Sequence, residues 1–461
     1  MTRTKDSRKR DELGHSEKAA SPAGLLIGRR EETARGFGFG PHAVIAQPKS
    51  TEVRVQGHGA VFSRSGGGKM TCSAGVNVLA FSGAQAIVVD PKGEITQVCA
   101  RECRKRGPVV IIDPFEALGP NTGFLNPMDR FKIPALAGDD AADTLAAEMS
   151  AGHGSEKDPY WVTSARALCA GACASVGADP DPSRRNLNTV LDMLAGSSGD
   201  TTYELAKAMD DKRIYGEFAK ARIAEFLEVP DSSSGSTRSC ILSSARQFLH
   251  PLSGSRIREC LKSTSFDLSV LLDGEEPLTV FVVFPPMRAV SHGGLLRLIL
   301  STLLQVLAAR PVMPSRSTLL LVDEAANVGK CDLFPLLYSY GRGQGISVLT
   351  EWQSLGQMMS IYERDWRTIV ENASAIQCFN LSTTAVDPHS ALLGVSPTTL
   401  PALGPDEQLV AIAEREPEIL KRIDYRTDAT LFKLADANPR YERVNVAADR
   451  SERGTHREPA N

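Results

Sequence analysis

The chain has no excess of either charge. Its 52 Lys and Arg stand against 55 Asp and Glu, a formal net charge of −3 over 461 residues. That balance excludes an overall basic coat for nucleic acid, so any DNA contact must be local, such as the lining of a ring pore. There is no run of about 18 apolar residues, so no transmembrane helix is expected. The longest apolar stretches, Val280–Phe284 and Leu319–Val322, have the length of buried strands. The opening residues Met1–Arg10 are polar and lack the apolar centre of a signal peptide. No C-x-x-C pair occurs among the nine cysteines, which are scattered and odd in number. This excludes a disulfide framework and points to a reduced, cytoplasmic setting, with the thiols acting as small core hydrophobes. Cys99/Cys103 and Cys169/Cys173 sit four apart on helix faces, but without a companion His cluster no metal site is expected there. There is no internal repeat.

What is present begins at Gly57-His-Gly-Ala-Val-Phe-Ser-Arg-Ser-Gly-Gly-Gly-Lys69-Met-Thr71, followed by Ala86-Ile-Val-Val-Asp90. The order strand, glycine-rich loop, lysine, helix, strand is that of a phosphate-binding loop. Ser65, Gly66, Gly67 and Gly68 can turn backbone N–H groups towards phosphate oxygens, and the next helix offers its positive N-terminus. Lys69 adds a point charge for the β and γ phosphates of ATP. Against G-x-x-x-x-G-K-[ST], Gly68 and Lys69 match. Ser63 replaces the first glycine, Met70 replaces the hydroxyl that binds Mg²⁺, and Thr71 comes one place late. Alone, the stretch also fits a glycine-rich turn that happens to end in lysine.

At 461 residues the chain has room for two or three domains, with 42% hydrophobic and 23% charged residues as in soluble globular proteins. Residues 1–45 read as a polar tail, charged and disordered to about residue 22, with Gly24-Leu-Leu-Ile-Gly28 as an edge strand or turn. Strands and helices alternate over 46–129 and again over 262–441, which implies an α/β fold with a parallel-rich sheet. Ligands bind at the C-terminal strand ends of such sheets, where Asp90, Lys92, Glu94 and Asp113 fall. Between the halves, residues 130–261 carry helical spacing and few β-branched runs, an all-α insertion. Its polar run Asp231–Ser239, with Arg238 and Arg246, fits plain surface structure, and 442–461 form a charged C-terminal tail.

The second strong signal is Leu319-Leu-Leu-Val-Asp323-Glu324, a buried strand with an acidic pair at its lip. In phosphate-loop NTPases this is where one carboxylate holds Mg²⁺ and a neighbour orients the attacking water, here Asp323 and Glu324. On the next strand, Leu349-Thr-Glu-Trp-Gln353 ends in a glutamine placed to sense the γ-phosphate or its water, or simply in a polar strand end.

Over roughly residues 24–441 the chain resembles the TraG-like coupling-protein ATPases of type IV secretion and conjugation. The resemblance rests on Gly24-Leu-Leu-Ile-Gly28, the specific Asp90-Pro-Lys-Gly-Glu94, Lys105-Arg-Gly, Asp113-Pro and Asn126-Pro127. It continues through Asp158-Pro-Tyr-Trp161, Ala165-Arg166, Phe266-Asp-Leu, Phe284-Pro-Pro, Leu296-Arg297 and Asp323-Glu324. Gly341-Arg-Gly-Gln-Gly-Ile346, Gln353-Ser-Leu-Gly-Gln357, Tyr362, Pro417, Tyr425 and Asn438-Pro-Arg-Tyr441 complete it in order. It implies a RecA-like P-loop NTPase related to ring-shaped DNA translocases. A homo-hexamer would bury ATP and Mg²⁺ between subunits, with a neighbour's arginine at the transition state, for which Arg342 is the candidate. Implied partners are single- or double-stranded DNA, relaxase and relaxosome proteins, and type IV secretion channel components at the inner membrane. Asp90 is implied near the nucleotide without a fixed role. Members typically carry N-terminal transmembrane helices, which this chain lacks, so a soluble variant or one docking peripherally to a membrane subunit is implied. Two rivals stand beside the ATP-hydrolysing coupling protein: a weakly or non-hydrolysing adaptor, favoured by Ser63 and Met70, and a cytoplasmic hexameric DNA translocase.

Overall fold

The computed structural model describes residues 24–31, 50–153, 159–196, 198–210, 217–229 and 236–441. The stretches read as loose tails, 1–22 and 442–461, and most of the polar run at 231–239 lie outside the described residues.

Short aliphatic runs bounded by Gly, Pro or Asp form the strands. In chain order they are β1 Leu25–Glu31, β2 Ser50–Val55, β3 Gly59–Phe62, β4 Gln85–Asp90, β5 Val109–Ile112 and β6 Leu278–Val283. Then follow β7 Thr318–Val322, β8 Ile346–Trp352, β9 Ala375–Cys378, β10 Glu407–Ile412 and β11 Glu418–Lys421. They make one sheet in the order β2-β1-β11-β10-β9-β3-β8-β7-β4-β6-β5. From β9 to β5 every pairing is parallel, and helices cover both faces. The expected α/β class with a parallel-rich sheet is what forms.

The other end of the sheet is antiparallel and differs from expectation. β9, β10, β11, β1 and β2 pair in turn as antiparallel neighbours. Gly24–Gly28 was expected at an edge, yet β1 lies inside, because β11 arrives from almost 400 residues away to cover it. Its first four residues are accordingly buried.

Between β5 and β6 lie the helices Asp139–Ser150, Pro159–Gly177, Leu187–Ala195, Ser198–Asp210, Phe218–Leu227 and Ser236–Leu249. Pro159–Gly177 is the central one, and small residues let its neighbours come close. A Cβ on Gly171 would stand 3.0 Å from Arg222 Cβ and 3.1 Å from Ile223 Cγ1. Cys169 and Cys173 are buried in this helix, and burial pushes both thiols up, Cys169 to about 12. Arg238 donates to the Leu227 and Val229 carbonyls and Arg246 to that of Leu194, so each completes a helix C-terminus. The apolar core of these helices runs without a break onto one sheet face, through Ile87, Val89, Leu320 and Val322.

Helix Pro286–Ala308 packs into that core. It has the length and hydropathy of a membrane span, which the sequence was not expected to contain, but most of its apolar stretch is buried in the fold. Its fully buried leucines each contribute on the order of 2 kcal/mol by leaving water. Just beyond it, buried Arg310 donates to the carbonyls of Leu271 and Gln344, to Gln85 Oε1 and to Thr318 Oγ1, at 2.8–3.0 Å. Gln85 and Thr318 begin β4 and β7, so this guanidinium ties together the N-terminal ends of adjacent strands.

Candidate functional site

The opposite, C-terminal ends of the strands carry the site. β3 is flanked by β8 and β9, and the chain leaves it still bonded to both sides: Ser63 N donates to Trp352 O (3.0 Å) and Arg64 N to Asn380 O (3.2 Å). Gly66 and Gly68 then take φ of +72° and +98°, the left-handed region that glycine enters freely. Gly67 is required for another reason, since a Cβ there would stand 2.2 Å from Ser63 Oγ. The serine that replaces the first motif glycine thus packs beneath the loop. From outside, Asn380 Nδ2 (2.9 Å) and Arg422 Nη1 (3.2 Å) both donate to Gly67 O.

The loop delivers Lys69 to the start of helix Met70–Ala80, whose first turn is widened so that Gly75 N donates to Met70 O. Lys69 is only 6% exposed. Its ammonium donates to Ser63 O (2.8 Å) and Arg64 O (3.4 Å) and stands 3.7 Å from Glu324 Oε1. Met70 and Thr71 line the same cleft, and Thr71 Oγ1 donates to Gly68 O at 3.3 Å.

Sheet register assembles the acidic side. Val89 pairs with Val322 and Val322 with Thr350, so Asp90, Asp323 and Glu351 follow at one level on three adjacent strands. Strand alternation puts all three on the face that carries helix Met70–Ala80. Burial pushes Asp323 well above the usual carboxylate range, reinforced by Glu351, Asp90 and Glu324. Burial likewise raises Glu351, to about 7, and Asp90. Glu324 follows with φ 49° and ψ 56°, a left-handed conformation that costs a non-glycine residue roughly 1 kcal/mol or more. That turn aims its carboxylate at Lys69, at Lys92 Nζ (3.8 Å) and at Gln353 Nε2, which donates to Oε2 at 3.0 Å.

Of these groups Asp323, Glu324, Lys69 and Lys92 border a cleft of about 450 Å³, together with Ser65, Gly66 and Gly68 of the loop. Its far end is built by residues from the C-terminal part, Tyr425, Arg426, Asn438, Arg440 and Tyr441. Arg440 Nη1 (2.6 Å) and Asn438 Nδ2 (3.2 Å) clamp Glu94 across about 345 positions of sequence.

Other expected residues go elsewhere. Asp90 is fully buried and does not border the cleft: its Oδ2 accepts from Thr96 N (2.7 Å) and Oγ1 (2.8 Å), bracing the next helix. Asp113 similarly accepts from Leu118 N. Arg342 lies before β8 begins, at the opposite sheet end from the loop, where it donates to Ser374 Oγ at 2.7 Å. Its own chain does not bring it to the cleft, so a role there requires the edge of a second copy. Glu351 received no role from the sequence, although a carboxylate amid Ile346-Ser-Val-Leu-Thr-Glu-Trp352 was the available signal.

Several buried oxygens here lack a hydrogen-bond partner: Ser63 Oγ, Ser73 Oγ, Asp90 Oδ1 and both Glu351 oxygens. Hard, anionic donors beside a phosphate loop suit Mg²⁺. Among the described residues no three His, Cys, Asp or Glu groups are arranged to hold a metal unaided.

Residues 9–396 match the family model described as type IV secretory system conjugative DNA transfer. The chain is 28% identical over 315 residues to a probable conjugal transfer protein TraG of Sinorhizobium fredii (strain NBRC 101917 / NGR234), covering 66% of this chain and 47% of that one. It is 26% identical over 311 residues to the conjugal transfer protein TraG of Rhizobium radiobacter, with the same coverages. The chain thus spans about half the length of the curated relatives it matches. Among solved structures, plasmid coupling protein TrwB in complex with ADP and Mg²⁺ superposes with a TM-score of 0.61 at 16% identity, over 80% of this chain and 85% of that one. VirB4 of Thermoanaerobacter pseudethanolicus gives 0.56 at 12% identity, over 89% and 99%. The fold is therefore the RecA-like P-loop NTPase fold, and the chain belongs to the type IV secretory system conjugative DNA transfer family.

Proposed function

We propose that the chain is an ATP-hydrolysing coupling protein that recruits or translocates DNA–protein substrate to a type IV secretion channel. One observation carries the proposal. Glu324, at the lip of the phosphate loop, is held in a strained turn between Lys69, Lys92 and Gln353. A carboxylate fixed there orients a water for in-line attack on a γ-phosphate, and Gln353 couples that carboxylate to β8.

In this scheme Lys69 leaves the Ser63 and Arg64 carbonyls for the phosphates, which the backbone of Gly66–Gly68 cradles. Asp323 holds Mg²⁺, with Ser65, Met70 and Thr71 around the phosphates. Mg²⁺ supplies charge neutralisation and phosphate geometry when bound. Asp90 acts behind the site by fixing helix Glu94–Arg106 through Thr96. Arg342 reaches the cleft of an adjacent copy in a homo-hexamer. We assign 46–129 and 262–441 to the nucleotide-binding unit and 130–261 to an all-α unit that meets substrate or relaxosome proteins. The complex works at the cytoplasmic side of the inner membrane.

A second reading, a nucleotide-binding adaptor that hydrolyses weakly or not at all, is favoured by Met70 and by Lys69 resting on its own loop. ATP hydrolysis with and without single-stranded DNA, together with mass measurement in the presence of nucleotide, separates the two. DNA-stimulated turnover lost in Lys69→Ala supports the ATPase. Binding without turnover supports the adaptor, and stimulated hexameric turnover with no effect of secretion components favours a free translocase.

A further inference from the structure

Glu351 has no task in the chemistry just proposed. It is fully buried on β8, and neither oxygen has a hydrogen bond of acceptable geometry. The Ser73 hydroxyl, the Lys69 ammonium and the Asp323 carboxyl stand around it. Its register neighbour on β3 is Val61, and the β8 residues preceding it, Ile346 to Thr350, are uncharged. An apolar or amide side chain would pack there without stranding a charge, so the carboxylate destabilises the free chain. A residue that breaks a packing rule beside a phosphate loop points to a role that appears when the loop is occupied.

We propose that Glu351 is a positioning residue that makes nucleotide binding depend on a divalent cation. This rests on the nucleotide-binding reading of the cleft. Glu351 lies near Lys69, so it draws part of that ammonium's attraction away from a bare polyphosphate. It also lies beside Asp323, so the two carboxyl groups together favour a polyphosphate that brings a cation. The position after Lys69 is Met70, which offers no oxygen, and Glu351 supplies from β8 the negative charge on the cation side. The loop then discriminates between ATP with Mg²⁺ and ATP alone through a residue that does not border the cleft.

The test measures the dissociation constant of ADP, and of a non-hydrolysable ATP analogue, for the full chain in excess Mg²⁺ and in EDTA. The melting temperature of the free chain is measured alongside. Wild type is expected to bind more tightly with Mg²⁺. Glu351→Gln is expected to shrink the ratio of the two constants by about tenfold while melting no lower than wild type. Glu351→Asp, which keeps the charge, is expected to keep most of the ratio. An unchanged ratio in Glu351→Gln overturns the inference. So does a Glu351→Gln chain that melts lower and loses affinity equally in both conditions, because that is structural support alone. A wild-type chain that binds in neither condition overturns the nucleotide reading, and this inference with it.

Discussion

The two ends of the parallel strands treat buried charge in opposite ways. At the N-terminal ends, Arg310 is almost fully buried and its donors meet two carbonyls, an amide oxygen and a hydroxyl. At the C-terminal ends, Glu351, Asp90, Ser63 and Ser73 keep buried oxygens with no partner. Burial acts on both, lowering Arg310 to about 10 and raising Glu351 to about 7. The first end compensates with hydrogen bonds at every nitrogen of the Arg310 guanidinium, whereas at the second Asp90 Oδ2 accepts from Thr96 while Asp90 Oδ1 and both Glu351 oxygens go without. A satisfied polar network marks where the fold is fastened, and an unsatisfied one marks where a ligand is awaited.

The sharpest break of this contrast is at Lys69. Lys69→Ala is expected to lower turnover by at least about 10²-fold, since it removes the buried ammonium at the end of the glycine loop, and a steady-state ATPase assay reads it. Near-normal activity would sink the assignment of the loop. Glu324→Gln comes next: turnover falls by about 10²-fold while nucleotide affinity stays within about threefold, because the lost group acts on water and not on the phosphates. Equilibrium binding beside the ATPase assay separates the two effects.

At the satisfied end the expected loss is in stability. Arg310→Leu removes the donors to the Leu271 and Gln344 carbonyls and leaves Gln85 Oε1 and Thr318 Oγ1 with only their long mutual bond of 3.4 Å, at about 1–3 kcal/mol for each acceptor left dry. Thermal melting should fall by several degrees. A variant as stable as wild type would remove the contrast.

Acidity gives a smaller, signed effect. Glu351 titrates near 7 when folded, against roughly 4.3 when unfolded. The folded chain therefore holds the proton more tightly, and this stabilisation is full below pH 4.3 and lost as pH rises through 7. Wild type should lose stability relative to Glu351→Gln across that window, as melting curves at pH 5 and pH 8 would show. A constant gap would contradict it. Smallest is Arg440→Ala, which takes a half-exposed guanidinium away from the buried Glu94 carboxylate but leaves Asn438 Nδ2 donating to it. Its cost in stability should stay under about 1 kcal/mol, with any loss confined to nucleotide affinity by titration.

Much of this was legible in the residues, for identifiable reasons. Ala86–Val89, Leu278–Phe284 and Leu319–Val322 read as strands because parallel strands buried on both faces are continuous aliphatic runs. Lys69, Glu324 and Gln353 read as candidates because each ends or follows a strand at a motif position, and the fold brings them within one network. β10 and β11 gave no such signal. They are short, carry Glu and Lys, and exist because β9 and β1 offer edges to pair with, which only tertiary structure supplies. Helix Phe218–Leu227 falls in the stretch read as all-α, but its apolar residues are interleaved with charges and find their face against Pro159–Gly177 and Ser198–Asp210. Arg422, Asn380 and Arg440 reach the site from over 300 positions away, a distance local patterning does not span. Glu351 lies within the legible strand Ile346–Trp352, but the register that sets it beside Asp323 belongs to the sheet.

The position of β3 has a consequence for the birth of the protein. The strand that launches the phosphate loop is made early, at Gly59–Phe62, but both its partners are made late, ending at Trp352 and Cys378. On the ribosome this strand must wait, unpaired, while some 300 residues are synthesised after it, about 15–60 s at ordinary elongation rates. Nucleotide affinity is thus among the last properties the chain acquires. A nascent chain stalled before residue 375 should carry the loop sequence in full and still fail to shape it.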